Sequence, residues 1–548
     1  NGRRILIIGN AKHPEVEGIR GWCKAPSYVV ESPEEAENLR IPAGEKLCIV
    51  SQTTFNYNKF QELVWPIHNY ELKKFLPMSF LMFFILFVYT LVRDLKDIFV
   101  QYHTHIWAGA GKADTAQLIS ALKVWYVMPV AFLAVMAFSY LMNKFDFKKT
   151  FYIIISSFMI FYAIYGFILY PNLNSLIMST EQITAMTEAA PAFFRTFLTC
   201  LGNWPITLFY TISEIWGTMA ISSLFWMFAN AVTMKSEVKR FFGLFSLIGN
   251  IGTIIAGVTI KTALKNASVS NVRMIMIAVI FFGVAIMAIY WYINNKILTD
   301  PRFYDASQIK PKKKKEKVSI LDGIKILFTN SYLLLIGVLV MGYGIAINFA
   351  EVIMKAHMKE AFDGPGYASM QGNISIFTGV FSIFITIIGA FILRTCKWRT
   401  SAVITPSIFL VLGGIFFALV LYRQFVSAQI FGMSALILAT WFGIIQDALC
   451  KSVKYSLFDT TKSMAYIPLD EDTKTKGQSA VEVIGGRAGK AGASLIQQVM
   501  YGIVPNIMSH VVTIVGIFAV TVVAWIASVF SLSKKYEAAV AKNAENDN

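Results

Sequence analysis

The sequence predicts an all-α polytopic membrane protein of twelve transmembrane helices in two six-helix halves, preceded by a small α/β fragment. Three observations carry that prediction. The 548 residues are 56% hydrophobic with a mean hydropathy of +0.56, far from the balance of a soluble domain. From Lys74 onward, apolar runs recur that are long enough to cross a hydrocarbon core of about 30 Å, which takes roughly 20 helical residues each. Residues 1–64 contain no such run and alternate short β-branched stretches with acidic, helix-favouring ones.

In the first 64 residues, Arg4–Ile8, Ser27–Val30 and Lys46–Ser51 read as strands. Pro14–Gly21, Pro33–Asn38 and Asn58–Val64 read as helices. A βαβαβα order implies a parallel sheet, and so short a segment buries only a small, marginal core. The chain opens with Asn1, shows no secretory signal, and is expected to lack its natural start.

The predicted spans of the first half are 75–100, 119–143, 150–171, 205–234, 241–262 and 272–294. Those of the second half are 324–356, 368–394, 399–422, 430–456, 478–503 and 508–533. The implied divisions are 1–64, 65–297, a basic cytoplasmic linker at 298–322 containing Pro311–Lys317, 323–533, and a polar tail at 534–548.

The net charge of +16 and pI near 9.4 do not indicate nucleic-acid binding, because the basic residues sit in short loops between apolar runs. Lys144, Lys148 and Lys149 follow the second span, Lys235, Lys239 and Arg240 the fourth, and Lys310–Lys317 the sixth. Arg394, Lys397 and Arg399 follow the eighth, and Lys534 and Lys535 the twelfth. All fall on one face, which the excess of Lys and Arg in cytoplasmic loops makes the cytoplasmic side, with both termini there. Lys261, Lys265 and Arg273 are the exceptions. The five cysteines, Cys23, Cys48, Cys200, Cys396 and Cys450, form no metal-ligand pattern and read as free thiols.

Lys96, Glu214, Glu351 and Lys490 are ionisable residues in four apolar segments. A charge within a bilayer costs several kcal/mol, so it faces a cavity, pairs, or meets a charged ligand. Two cations and two anions suggest a transporter for an anionic solute, against the plainer reading of buried salt bridges that fix the helices. Glu214 and Lys490 fall near mid-membrane, whereas Lys96 and Glu351 fall nearer the outer ends, where snorkelling to the interface is an alternative.

Gly485, Gly486, Gly489 and Gly492 let the eleventh helix approach a neighbour. No phosphate-binding loop is present, since Ala491 follows Lys490, but Lys490 and Arg487 are candidate charge-assisted donors to an anion. Trp216 and Tyr343 are candidates for stacking on a base, with packing the plainer role. Gly249–Gly252 in the fifth span and Gly486–Gly489 in the eleventh form a faint repeat six helices apart. Parallel repeats of this kind build the major facilitator architecture, with the substrate site between halves.

Several segments resemble the ATP/ADP carrier (nucleotide transporter) family of intracellular bacteria and plastids. They are Arg93–Asp97 (RDLKD), Ser213–Asn230, Lys239–Gly252, Tyr343–Lys355, Lys454–Gly477 and Gly489–Gln498. The resemblance covers about residues 65–533. It implies a twelve-helix, major-facilitator-like antiporter importing ATP against ADP, with its functional charges at Lys96, Glu214, Glu351 and Lys490. Arg487 and Asn348 complete the candidate substrate-binding set. Members also include nucleotide–proton symporters and NAD carriers, so the motifs fix the family better than the substrate. Asp459-Thr460 departs from the family, where a proline usually follows the aspartate. The implied partners are ATP and ADP, with phosphate co-movement open, and the lipid bilayer. The implied place is a bacterial inner membrane, with a plastid envelope as the alternative.

Residues 1–64 resemble the middle part of 4-hydroxy-3-methylbut-2-enyl diphosphate reductase, through His13–Trp22, Val29–Leu39 and Ser51–Val64. By that resemblance His13, Glu15, Gln52 and Thr53 match diphosphate-binding or proton-delivering positions. The enzyme needs three cluster cysteines, and neither Cys23 nor Cys48 matches one. No iron–sulfur cluster or other cofactor and no reductase activity is therefore expected. A gene-fusion remnant, a joined gene model and the end of a longer active fusion are the readings of this piece.

Overall fold

The computed structural model describes residues 4–23, 27–32, 35–36, 39, 47–51, 69–102, 115–233, 235–264, 268–300, 325, 329–362, 364–425, 429, 432–470, 473, 481, 486–504 and 506–546. They divide into two compact units, Asn1–Leu76 and Pro77–Asn548.

In the first unit, β1 (Arg4–Ile8) lies between β2 (Ser27–Val30) and β3 (Leu47–Ser51). Both pairings are parallel, as the βαβ alternation requires, with Ile8 opposite Val30 and Ser51. Helix α1 (Pro14–Trp22) starts where the His13 side chain accepts from the Glu15 backbone N–H, and Pro14 presets the first turn. Ile8 and Val30 are buried together, with Leu6, Ala36 and Leu39 packed against them, and Ile7 and Val16 are also buried. Only residues 35–36 of the expected helix Pro33–Asn38 are described, and Asn58–Val64 lies outside the described residues.

The second unit is helical. Among the described residues, eleven helices are long and apolar enough to cross a membrane. They include α2 (Glu71–Gln101), α3 (Leu118–Lys144), α4 (Phe147–Leu169), and, after two shorter helices, α5 (Thr180–Glu188) and α6 (Ala192–Gly202), then α7 (Trp204–Val232). There follow α8 (Phe241–Ala263), α9 (Val269–Ile297), α10 (Ser331–Ala361), α11 (Gly364–Thr395), α12 (Trp398–Arg423) and α13 (Ala435–Ala465). The remaining expected span, 478–503, is described as α14 (Gly486–Ile503). It is less apolar than the others because Arg487, Lys490, Gln497 and Gln498 lie within its 18 residues. Helix α15 (Ile507–Ala541) is the last. The linker run Lys310–Lys317 lies outside the described residues.

One glycine from each pair of the faint repeat does an equivalent job. In α8, a Cβ on Gly252 would stand 2.6 Å from the Phe83 carbonyl of α2. In α14, a Cβ on Gly489 would stand 2.9 Å from the Met341 carbonyl of α10. The fifth helix thus meets the first as the eleventh meets the seventh, through small residues that admit a neighbouring backbone. Helices of the two halves meet along α8 with α11 and α3 with α14. On the first seam, a Cβ on Gly372 would lie 2.6 Å from the Gly257 carbonyl, and one on Gly379 would lie 2.9 Å from the Asn250 carbonyl.

Candidate functional site

A cavity of about 380 Å³ lies among α2, α3, α7, α10, α11, α13 and α14. Its described walls carry Arg93, Lys96, Lys123, Lys355, Lys451, Lys454, Lys462 and Lys490, against the carboxylates Asp97, Glu214, Glu351 and Asp459. Eight cations against four anions give it a positive excess, suited to a polyanion.

All four charges singled out from sequence line this cavity. Lys96 Nζ lies 3.1 Å from Glu214 Oε2 and 2.9 Å from Asp97 Oδ1, and 4.0 Å over the Tyr210 ring. Its side chain is 4% exposed, which corrects the snorkelling alternative: two carboxylates and an aromatic face hold it inside. Glu351 does not snorkel either. Its Oε1 meets Lys355 Nζ at 3.0 Å and Lys451 Nζ at 3.2 Å, and its Oε2 lies 3.8 Å from Lys123 Nζ.

The pairs join into one chain of alternating sign. Glu214 meets Lys96, Lys96 meets Asp97, Asp97 meets Lys355 at 2.8 Å, Lys355 meets Glu351, Glu351 meets Lys451, and Lys451 meets Asp447 at 2.8 Å. Each interior member has opposite charges on both sides, which offsets the desolvation that a single buried pair must bear. The chain passes from the first half to the second at Asp97–Lys355, with Lys123–Glu351 beside it.

Lys490 differs. Its side chain is exposed at the cavity wall and makes no ion pair among the described residues. The backbone beneath it is fixed: Asn348 Nδ2 donates to the Lys490 carbonyl and to Ser494 Oγ, both at 3.3 Å, and Gln497 Nε2 donates to Asn348 Oδ1. Asn348 therefore lines the cavity with its amide committed to α14, a supporting position. Gly344 and Gly489 bring the two backbones together at this level. The Arg487 side chain lies outside the described residues, as do Gln52 and Thr53.

Other links between the halves gather toward the end where α2 and α10 finish. Arg93 Nη2 donates to Ser375 Oγ at 2.6 Å, and Gln371 Nε2 and Ser375 Oγ donate to Asp94. Lys261 Nζ donates to Asn373 at 3.1 Å, Ser120 to Gln497, and Thr196 to Gln498 at 3.0 Å. From this layer the cavity follows α13 from Lys451 to Lys462, a helical rise of roughly 16 Å. Asp459 sits on that stretch 2.8 Å from Lys454 and 3.5 Å from Lys462.

Trp216 is fully buried against Phe158, with its Nε1 donating to the Ile85 carbonyl at 3.4 Å, so it packs and does not reach the cavity. Tyr343 does line it, beside Tyr89 and Tyr455. Three wall segments are π-helical: Leu122–Val127, Gly217–Phe225 and Lys454–Phe458. Such π-helical stretches often occur at functional sites, and these carry Lys123, Thr218 and Lys454 into the wall.

Asp97, Lys355, Lys123, Lys451 and Asp447 went unremarked in the sequence although they lie in the same apolar spans. The membrane-charge argument applies to them equally and would have found them. The π-helical turns have no comparable sequence signal.

A family model described as "TLC ATP/ADP transporter" matches residues 50–536. A second, described as "LytB protein", matches residues 1–74, in agreement with the separate resemblance of the first 64 residues. Among curated proteins, "ADP,ATP carrier protein 1" of Rickettsia bellii (strain RML369-C) is 38% identical over 498 residues, 88% of this chain and 98% of that protein. "ADP,ATP carrier protein 1" of Chlamydia trachomatis serovar D is 37% identical over 499 residues, 88% of this chain and 93% of that protein. Among solved structures, the crystal structure of a D-xylose-proton symporter matches with a TM-score of 0.54 at 12% identity, covering 85% of this chain and 97% of that one. At that identity the likeness is one of fold, and the fold is major-facilitator-like.

Proposed function

This chain belongs to the TLC ATP/ADP transporter family, and from that membership we propose that it exchanges ATP for ADP across a bilayer by alternating access of the central cavity. One observation carries the site assignment: a cavity rich in cations whose interior lysines are neutralised by carboxylates, with Lys490 left exposed to the space. Lys490 and Lys96 attract the phosphates as point charges, compensating for hydration lost on entry. Glu214 and Glu351 serve as counter-ions in the unloaded site, so that its cations are not left uncompensated. A polyphosphate competes with these carboxylates, loosens the charge chain at Asp97–Lys355, and frees the halves to rock.

On the loop-charge rule both termini are cytoplasmic. The seam that holds the halves together then lies on the outer side, and the conformation described opens toward the cytoplasm. The bacterial inner membrane is the proposed setting. ATP carries about one more negative charge than ADP, so exchange without phosphate moves about one charge, worth about 2.3 kcal/mol per 100 mV. Within residues 1–64, Cys23 and Cys48 match no cluster position, so these residues by themselves are proposed to hold no cluster and to carry no reductase activity.

The test is uptake of labelled ATP into cells or liposomes carrying the full chain, with and without internal ADP, and with GTP, CTP and NAD as competitors. Uptake that requires internal ADP and ignores the competitors supports the exchanger. Uptake without counter-substrate, or competition by NAD, replaces this reading with a symporter or a broader carrier.

A further inference from the structure

A second recess, of about 970 Å³, lies away from the central cavity, between α12 and the neighbouring α11, α13 and α15. It is an aliphatic trough: Val403, Ile404, Ile408, Val411 and Leu412 of α12 form one wall, and Ile385, Leu449, Val453 and Phe530 contribute the rest. Both Lys397 and Arg399 stand at one end, exposed, with Arg399 Cζ 4.4 Å over the Phe530 ring. Neither cation has an ion-pair partner among the described residues. Glu537 also lines that end and accepts a hydrogen bond from Ser533.

The dimensions suit one occupant. From Thr400 to Leu412 the helix rises roughly 18 Å, and one leaflet of a hydrocarbon core of about 30 Å is about half that core. The apolar length therefore spans a leaflet, with the two cations at its headgroup end. Basic pockets between membrane helices recognise anionic headgroups, each Lys or Arg near an anionic surface contributing about fivefold in affinity.

We infer that this trough is a binding site for an anionic phospholipid, its acyl chain along α12 and its phosphate between Lys397 and Arg399. The cations are held where a headgroup lies: Arg399 by the Phe530 ring, Lys397 by the turn that starts α12. A zwitterionic lipid offers the same chain and a phosphate, but its quaternary ammonium meets an end where two cations outweigh the single carboxylate of Glu537, leaving a net positive charge that favours the lipid without an ammonium. The trough is separate from the nucleotide cavity, so its test does not depend on the transport assignment.

The test is lipid binding by the purified, delipidated full chain, read by native mass spectrometry during titration with phosphatidylglycerol or phosphatidylcholine. The wild type is expected to retain phosphatidylglycerol preferentially. K397Q/R399Q is expected to weaken phosphatidylglycerol about 30-fold, the effect of two surface cations, and phosphatidylcholine far less. V411W, which fills the trough away from the charges, is expected to weaken both lipids, and K144Q neither. Equal retention of the two lipids by the wild type overturns the inference, as does a K397Q/R399Q variant that binds phosphatidylglycerol normally. A doubled mass lost in V411W also overturns it, in favour of contact between copies of the chain.

Discussion

Lys355 Nζ lies 2.8 Å from Asp97 Oδ2, and with both side chains under 5% exposed this pair is the point where a charge chain crosses from one half of the protein to the other. Lys96 also holds Asp97, and Glu351 also holds Lys355. Removing either member therefore leaves its partner with a remaining counter-ion, which softens the 3–5 kcal/mol typical of breaking an isolated buried pair.

D97N and K355M are each expected to destabilise the purified protein by about 1–3 kcal/mol. The double variant should lose less than their sum, by at least about 0.5 kcal/mol, since the residues are in contact. Thermal melts of the four proteins in one detergent provide the cycle. Strict additivity would show that the pair does not couple the halves.

K490A should behave differently from the network variants. Because Lys490 makes no ion pair among the described residues, its melting temperature should stay near that of the wild type. Loss of a charge-assisted contact to phosphate, about 1.5–3 kcal/mol, should reduce kcat/KM for exchange about 10- to 100-fold. K490R should recover part of it. Unchanged binding and exchange in K490A would remove this lysine from the site.

The α8–α11 seam is close enough that a single methyl group matters. G372A places a Cβ 2.6 Å from the Gly257 carbonyl, so the seam must part. Exchange is expected to fall at least about tenfold, which corresponds to about 1.4 kcal/mol on the closed state. Gly414 in α12 has open space where its Cβ would be, and G414A should be near neutral. Equal effects of the two substitutions would deny the seam a role in closure.

Voltage separates simple exchange from compensated exchange. In liposomes with labelled ATP outside and ADP inside, a potential of 100 mV, positive inside, is expected to favour net ATP entry by about 2.3 kcal/mol for one unbalanced charge. A rate and a final distribution indifferent to potential would instead mean that phosphate or another ion moves with the nucleotide.

Much of this protein was determined locally. Apolar runs of bilayer length specify spanning helices because a backbone in hydrocarbon must satisfy its own hydrogen bonds, and each of the eleven apolar helices overlaps one of those runs, most within a few residues, although α13 ends at Ala465 where the run was expected to end at 456. The β-branched stretches of the first unit pair in parallel because α1 carries the chain back across the sheet. Lys96, Glu214, Glu351 and Lys490 were legible as candidates because the membrane makes any charge conspicuous. Only the tertiary structure decided their partners. Which carboxylate neutralises which lysine depends on helices hundreds of residues apart, as with Asp97 and Lys355, and on π-helical turns that rotate Lys123 and Lys454 into the wall. Trp216 shows the same limit: its sequence position beside Glu214 suggests the cavity, but 3.6 residues per turn and the packing of Phe158 turn it away from that space. Composition and periodicity set which segments cross the membrane, and the packing of those segments set which charges meet.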